Sequence, residues 1–113
     1  MNPITAAVML KALDGLSVRQ TATAQNIANA GTPNYQPMRV TFEEALRAAG
    51  SDRNAIDRVQ PKIEPQIPSL LGSELRLDLE VATAASTGGR YATVVELLSR
   101  QMQLQTIAIS GGR

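Results

Sequence analysis

Apolar side chains recur at steps of four and three near the start of the chain. The stripe consists of Met9, Leu13, Leu16, Gln20, Thr23, Ile27 and Ala30. This period predicts a heptad-like helix from Pro3 to Ala30, because such steps place side chains on one helical face. Asn2 is suited to cap the helix, and Pro3 is suited to its first position, where no backbone N–H is needed.

The later turns of this helix are slim, with alanine at positions 22, 24, 28 and 30. Two interpretations stay open. Small side chains permit close lateral packing against other helices, whereas alanine is also simply the best helix former.

The last third of the chain carries two stripes with the same period. The first consists of Leu77, Val81, Ala84, Gly88, Tyr91, Val95, Leu98, Met102, Gln105 and Ile109, and the second of Val94, Leu97, Gln101, Leu104 and Ala108. Two stripes predict two packing surfaces on one helix over residues 74–110, about 55 Å long. Gly88 and Gly89 cost about 2 kcal/mol of helix propensity, which predicts a kink or a split there.

The middle of the chain, residues 32–73, is rich in proline. Prolines at 61, 65 and 68 are too closely spaced for a helix and favour extended or polyproline-II backbone. A short helix near 42–49 is predicted because Thr41 and Glu44 match a capping box, and Gly50 should end it. Ser51 to Gln60 is polar and charged, which predicts a mobile segment.

These patterns together predict the fold class. It is mainly α, an elongated, coiled-coil-like pair of N- and C-terminal helices joined by a Pro-rich, largely irregular middle. The predicted division is residues 1–31, 32–73 and 74–113, with the possible kink at 88–89.

Several residues at the end of the first predicted helix have conformational preferences that explain why the helix stops there. Gly31 is predicted at the C′ position with a positive φ, and Pro33 prevents the helix from continuing. Thr32 to Tyr35 then forms a type I or II turn, with Asn34 tolerating a positive φ at the third position.

The composition of the chain excludes most catalytic and metal-binding chemistry. The chain has no His and no Cys, and its 11 basic and 10 acidic residues give a net charge of +1. No catalytic residue, metal site, cofactor or nucleic-acid surface is therefore expected. The adjacent Glu43 and Glu44 are interpreted as a capping, solvated pair, and Asp78 and Glu80 as groups that complement a helix dipole. Neither a Sec-type signal peptide nor a membrane span is predicted.

The segment from Ala24 to Tyr35, Ala-Gln-Asn-Ile-Ala-Asn-Ala-Gly-Thr-Pro-Asn-Tyr, resembles the N-terminal signature A-N-N-I-A-N-A-N-T-P-G-Y of bacterial flagellar rod and hook (axial) proteins. Gly31 stands where the signature has Asn, and Asn34 stands where it has Gly. Both residue types adopt the left-handed conformation easily. The assembly motif that the resemblance implies consists of Asn26, Ile27, Ala28, Asn29, Gly31, Thr32, Pro33, Asn34 and Tyr35.

The C-terminal segment is similar to that of proximal rod proteins, in which a V-D-L-D/E element precedes a helix containing R-Y and L-L-S-R-Q. This chain has Leu75 to Val81 followed by Arg90-Tyr91 and Leu97 to Gln101. The resemblance covers both ends but not the middle, which indicates the short proximal rod type. Helix packing is expected from Leu13, Leu16, Leu77, Val81, Tyr91, Val95, Leu98, Met102 and Ile109.

The resemblance implies a structural subunit of the periplasmic rod that is exported by the flagellar type III apparatus without a cleaved signal peptide. It implies self-association in a helical assembly and, as partners, other rod proteins, a rod-to-MS-ring adaptor and the export gate. Asn26 and Asn29 then have two interpretations, as caps of the last helical turn or as intersubunit hydrogen-bonding groups. The alternative function is a cytoplasmic helical adaptor or export chaperone that binds partner helices.

Overall fold

A computed structural model of the chain describes residues 2–67 and 77–111. Its elements are α1 (Pro3–Ala28), β1 (Met38–Thr41), α2 (Glu43–Ala49), α3 (Arg53–Asp57), β2 (Lys62–Pro65) and α4 (Leu77–Gly111). The molecule measures 64 × 25 × 18 Å, and its radius of gyration is 17.8 Å, against about 13 Å for a compact chain of this length. The predicted fold class, an elongated, mainly helical pair, is confirmed.

Helix α1 begins as predicted and ends earlier than predicted. The Asn2 side chain accepts a hydrogen bond of 2.7 Å from the Ile4 N–H, and Pro3 occupies the first turn. The helix ends at Ala28, with Asn29 as its C-cap. Asn29 Nδ2 donates to the Gln25 carbonyl at 2.9 Å, so this side chain satisfies a carbonyl of the last turn.

The turn after α1 differs from the prediction at one position. Gly31 does not have a positive φ, and among the described residues only Asn34, with φ 64°, and Gly50, with φ 59°, do. The predicted C′ role of Gly31 is therefore wrong, because the helix already ends at Ala28, three residues before it. The Tyr35 N–H donates to the Thr32 carbonyl at 3.3 Å, and the positive φ of Asn34 at the third position indicates a type II turn.

Two short strands lie within the middle segment, where the sequence predicted irregular backbone. β1 and β2 pair antiparallel, with Arg39 opposite Glu64 and Val40 opposite Ile63. β2 ends at Pro65, whose missing N–H costs no bond to β1, because the facing residue Met38 points its backbone polar groups away from β2. The prediction of extended backbone near the prolines was correct in conformation but missed the pairing.

Two short helices follow β1. α2 lies where the short helix was predicted and ends at Gly50, but its N-terminal cap differs from the prediction. Phe42 is the N-cap residue of α2 and makes no side-chain capping bond, so the Thr41–Glu44 capping box is wrong; Thr41 lies in β1 instead. α3 lies inside the predicted mobile segment, capped by Asp52. Its Ile56 is 0% exposed, so this segment is anchored to α1 by an apolar contact that its polar composition hid.

Helix α4 is continuous through Gly88 and Gly89, so the predicted split does not occur. It runs antiparallel to α1: Asn26 contacts Glu80, and further along the pair Val94 packs beside Leu16. The small apolar core around this crossing consists of Leu16, Ala22, Val40 and Phe42.

The seam between α1 and α4 does not follow either predicted stripe of α4. The less exposed side chains of α4 include Glu80, Ala84, Thr87, Val94, Leu98 and Gln101, again at steps of four and three. Ala84 and Leu98 belong to the first stripe, and Val94 and Gln101 belong to the second, so the seam takes residues from both. Of the predicted packing residues, Leu16 is buried, and Leu13 and Leu98 are half-buried. The others, all on α4, are 40% to 67% exposed in the single chain: Leu77, Val81, Tyr91, Val95, Met102 and Ile109.

Candidate functional site: a polar junction and an exposed helix surface

Asn26 lies at the centre of a buried polar junction and is 1% exposed. Its Nδ2 donates to the Met38 carbonyl at 2.8 Å and to Glu80 Oε2 at 3.2 Å. Its Oδ1 accepts from the Met38 N–H at 3.0 Å and from the Tyr35 hydroxyl at 2.9 Å. Both amide protons and both lone pairs are therefore used within one chain.

Glu80 completes the junction from α4. It is 7% exposed, and its Oε1 accepts a hydrogen bond of 2.6 Å from Gln66 Nε2. Gln66 follows β2, and its N–H donates to the Pro37 carbonyl at 2.9 Å. The junction thus joins the end of α1, the turn, both strands and the start of α4.

The interpretation of Asn26 as an intersubunit group is not what the structure shows, because every hydrogen-bonding position of the side chain is filled internally. Asn29 matches the capping interpretation, and the Thr32 hydroxyl donates to its Oδ1 at 3.1 Å. Glu80 is also not a simple dipole-complementing group. Nothing in the sequence pattern predicts that Glu80 contacts Asn26, because the two residues lie far apart along the chain.

Arg19 forms a second polar contact, two helical turns before Asn26 on α1. Its guanidinium donates to Glu43 at 2.6 and 2.8 Å and to the Val40 carbonyl at 2.9 Å, and it lies 4.9 Å from the centre of the Phe42 ring. The expectation that Glu43 is solvated is therefore wrong, while Glu44 does lie at the surface beside Arg47. Arg19 links α1 to the start of α2.

The hydrogen bond from Arg19 lowers the pKa of Glu43 from its ordinary 4.5 to about 2. A lowered folded-state pKa means that the ionised carboxylate stabilises the fold fully above pH 4.5, and that this stability is lost as the pH falls through about 2. The full shift corresponds to about 3 kcal/mol. Because the Glu43 side chain is 36% exposed, we discount this to about 1–2 kcal/mol for solvent screening.

Asn26 and Arg19 also cover the outer edge of β1. Met38 and Val40 point their backbone polar groups away from β2, and these two side chains of α1 bind them. An uncovered strand edge invites pairing with another chain. The seven-residue spacing, two helical turns, lets one face of α1 meet alternate residues of a strand.

The other residues of the predicted assembly motif lie around this junction. Tyr35 is half-buried and bound to Asn26, and Ile27 is half-buried. The exposed members are Ala28, Gly31, Thr32, Pro33 and Asn34. The structure thus brings Asn26 and Tyr35 together and leaves the turn between them at the surface.

The second feature of interest is the exposed surface of α4. The six exposed packing residues of its first stripe extend from Leu77 to Ile109, and Leu97 and Leu104 of the second stripe are also 44% and 57% exposed. Contiguous exposed apolar side chains mark interaction surfaces in soluble proteins. The periodicity of the sequence identified these residues correctly as apolar stripes, but it did not reveal that they face away from α1.

Within residues 2–67 and 77–111, no group of three or more His, Cys, Asp or Glu is arranged to hold a metal ion. No helix in the same part of the chain is long and apolar enough to cross a membrane. The site consists of structural contacts and an apolar surface.

No model of a known protein family matches the chain. The flagellar basal body rod protein FlgB of Borrelia hermsii is 54% identical over 37 residues, which are 33% of this chain and 27% of that protein. FlgB of Borreliella burgdorferi is 38% identical over 50 residues, which are 42% of this chain and 37% of that protein. The chain therefore spans only about a third of the length of these relatives. Over these parts it is similar to FlgB flagellar basal body rod proteins, and its predicted resemblance to the flagellar rod family is confirmed.

Proposed function

We propose that the chain is a structural subunit of the flagellar basal-body rod. The observation that carries this proposal is the apolar surface of α4, which stays 40% to 67% exposed at six positions of one helical stripe. A helix that only packed against its own chain would need one contact face, and α4 already has a separate seam against α1 that includes Glu80 and Thr87. The similarity to rod proteins gives the exposed face a purpose, namely contact with neighbouring subunits.

In this proposal the polar junction and the exposed stripe have different tasks. Asn26, Tyr35 and Glu80 fix how α1, the strands and α4 meet, so that each subunit presents its stripe in the same orientation. Burial of the stripe between subunits then drives assembly, at roughly 25 cal/mol for each Å² of apolar surface removed from water. A contact between different surfaces of neighbouring copies gives an open helical tube when its rotation does not close into a ring.

The finer features of this function are also proposals. We expect the subunit to lie in the proximal rod, in the periplasm, and to reach it through the flagellar export gate without cleavage of a signal peptide. We expect contacts with other rod proteins and with the adaptor between the rod and the MS ring. No reaction is expected, because the chain holds no His, no Cys and, among its described residues, no metal-binding cluster.

The test is complementation in the source bacterium after deletion of the gene. Wild-type protein should restore rods, as seen by cryo-electron tomography of basal bodies, and a fluorescent or epitope label should be found in them. Val95→Glu places a charge in the exposed stripe and should abolish rod formation. Thr93→Glu, a substitution of another β-branched residue two positions away, is the matched control and should be tolerated.

Normal rods in the deletion strain would refute the proposal. If the labelled protein stays in the cytoplasm and is absent from the rods that form, this result would favour the alternative of an adaptor or chaperone. Equal motility of the Val95→Glu and Thr93→Glu strains would show that the exposed stripe has no role in assembly.

A further inference from the structure

A groove lies between α1, α2 and α4, with a volume of about 350 Å³. Its walls are mainly apolar and include Val8, Ala12, Leu16, Leu46 and Val94. The groove is open to solvent along α2, where Arg47 lies on its rim with 73% of its side chain exposed. Its size is at the lower end of that of ligand pockets, which is enough for a few apolar side chains.

The charges around the groove are compatible with an apolar occupant. Glu43 is the acidic residue in its wall, and this carboxylate already binds Arg19 and lies 3.6 Å from Arg90. Insertion of an uncharged segment would therefore leave no carboxylate buried without a partner, which is the costly case. Arg47 pairs with Glu44, and Arg19 and Arg90 share Glu43. Three arginines against two carboxylates leave this side of the groove with an excess of one positive charge.

The end of α4 has the complementary properties. No charged residue occurs from Gln101 to Gly111. Met102, Leu104, Ile107 and Ile109 are 57% to 67% exposed, and they lie on more than one side of the helix. The last described turn of α4 carries no basic side chain, and Arg113 follows it two positions after Gly111 in the sequence. The charge that the described turn itself presents is the negative half-charge of the helix dipole.

These two features cannot meet within one chain. Arg90 and Val94, which line the groove, lie on the same continuous helix as Met102 and Ile107. An unbroken helix cannot fold back on itself, and at 1.5 Å per residue the segment projects away from the groove along the helix axis. A contact between this segment and the groove must therefore join two molecules.

We infer that the groove binds the end of α4, residues 102–111, of a second copy of this chain. Exposed apolar side chains of the segment enter the groove as in other helix-in-groove contacts, and Arg47 and Arg90 face its carbonyl end. The contact joins two different surfaces, so each copy still offers one free groove and one free helix end. This inference rests on the proposed function and adds a specific head-to-tail contact to it.

The test uses engineered cysteines, because the chain has none of its own. Full-length protein carrying Ala12→Cys, in the groove, is mixed with tagged full-length protein carrying Thr106→Cys, on the exposed end of α4, and treated with a mild oxidant. Ala48→Cys, on the exposed side of α2, replaces Ala12→Cys in the control. A disulfide-linked heterodimer on a non-reducing gel should form at least about five-fold more with Ala12→Cys than with Ala48→Cys.

Charge substitutions test the electrostatic part. Arg47→Glu should lower the yield of the Ala12→Cys heterodimer about two- to five-fold, since it reverses one favourable contact with a helix terminus. Arg53→Glu, on α3 and outside the groove wall, should leave the yield unchanged.

Equal yields with Ala12→Cys and Ala48→Cys, or no heterodimer with either, would overturn the inference. Homodimers of the Thr106→Cys protein in place of heterodimers would also overturn it, because they would show that two helix ends pack together. The proposed rod function is decided separately by labelling of basal bodies. A labelled rod without the heterodimer would refute the groove contact alone.

Discussion

Gly15→Ala is expected to destabilise the chain even though alanine is the better helix former. Gly15 is buried in α1, and the ring of Phe42 occupies the space that a side chain at this position would need. A Cβ atom at position 15 would lie 2.4 Å from Cγ and Cδ1 of that ring. The ring is 5% exposed and is held between Arg19 and the apolar core, so it has little room to move.

Two opposing effects determine the magnitude. Overpacking in a core costs about 1–3 kcal/mol, whereas replacing glycine by alanine within a helix gains about 1 kcal/mol. Because the added Cβ would lie far inside van der Waals contact, we expect the upper part of this cost range, about 2–3 kcal/mol. The net loss is then about 1–2 kcal/mol, which corresponds to a fall in Tm of about 5–15 °C for a domain of this size. Gly89→Ala is the matched control, because an added Cβ there meets nothing within 4 Å. It should be stabilising by about 1 kcal/mol.

Urea titration followed by circular dichroism measures both variants. A third variant isolates the contact: in a Phe42→Leu background, Gly15→Ala should lose most of its cost, because the flat ring no longer lies on position 15. If Gly15→Ala were as stable as Gly89→Ala, or if its cost were the same with and without Phe42, the packing argument would be refuted.

Three further predictions concern the junction, Glu43 and the turn. Asn26→Ala should lower the free energy of unfolding by about 2–4 kcal/mol, because it leaves buried polar groups unpaired, while Asn29→Ala should cost about 1 kcal/mol or less in the same urea titration. Glu43→Gln should remove about 1–2 kcal/mol at pH 7 and should flatten the loss of stability that the wild type shows between pH 4.5 and about 2. Asn34→Val should cost about 1–2 kcal/mol through its positive φ, whereas Gly31→Val should stay within about 0.5 kcal/mol of the wild type; equal thermal melts for these two would contradict the turn geometry.

The long helices could be predicted because their signals are local. Asn2 and Pro3 mark the start of α1 by backbone chemistry alone, and the three-four period extends over many turns of both helices. Asn34 could likewise be predicted to tolerate a positive φ, because this is a property of the residue type. Gly31 shows the limit of that argument, since a glycine that can adopt a left-handed conformation adopts it only where the helix end requires it.

The polar junction could not be predicted, because its members lie far apart in the sequence. Asn26 and Glu80 are 54 positions apart, and neither residue type alone indicates a buried pair. The seam of α4 was missed for a related reason. Periodicity shows that apolar side chains share a face, but it does not show whether that face meets the chain's own helix or a neighbour.

Polar side chains are buried between the two long helices, and large apolar side chains are exposed on α4. This contrast explains how the chain can act as a subunit of an assembly. The crossing of α1 and α4 is specified by the bond between Asn26 and Glu80, which are 1% and 7% exposed, while large apolar side chains of α4 remain in contact with water. A fully hydrogen-bonded network defines one arrangement strictly but contributes little net free energy. The single chain is therefore expected to have a well-defined fold of modest stability. The apolar surface left over is then available to stabilise contacts between copies, so that the free energy of folding and that of assembly come from different faces of the same helix.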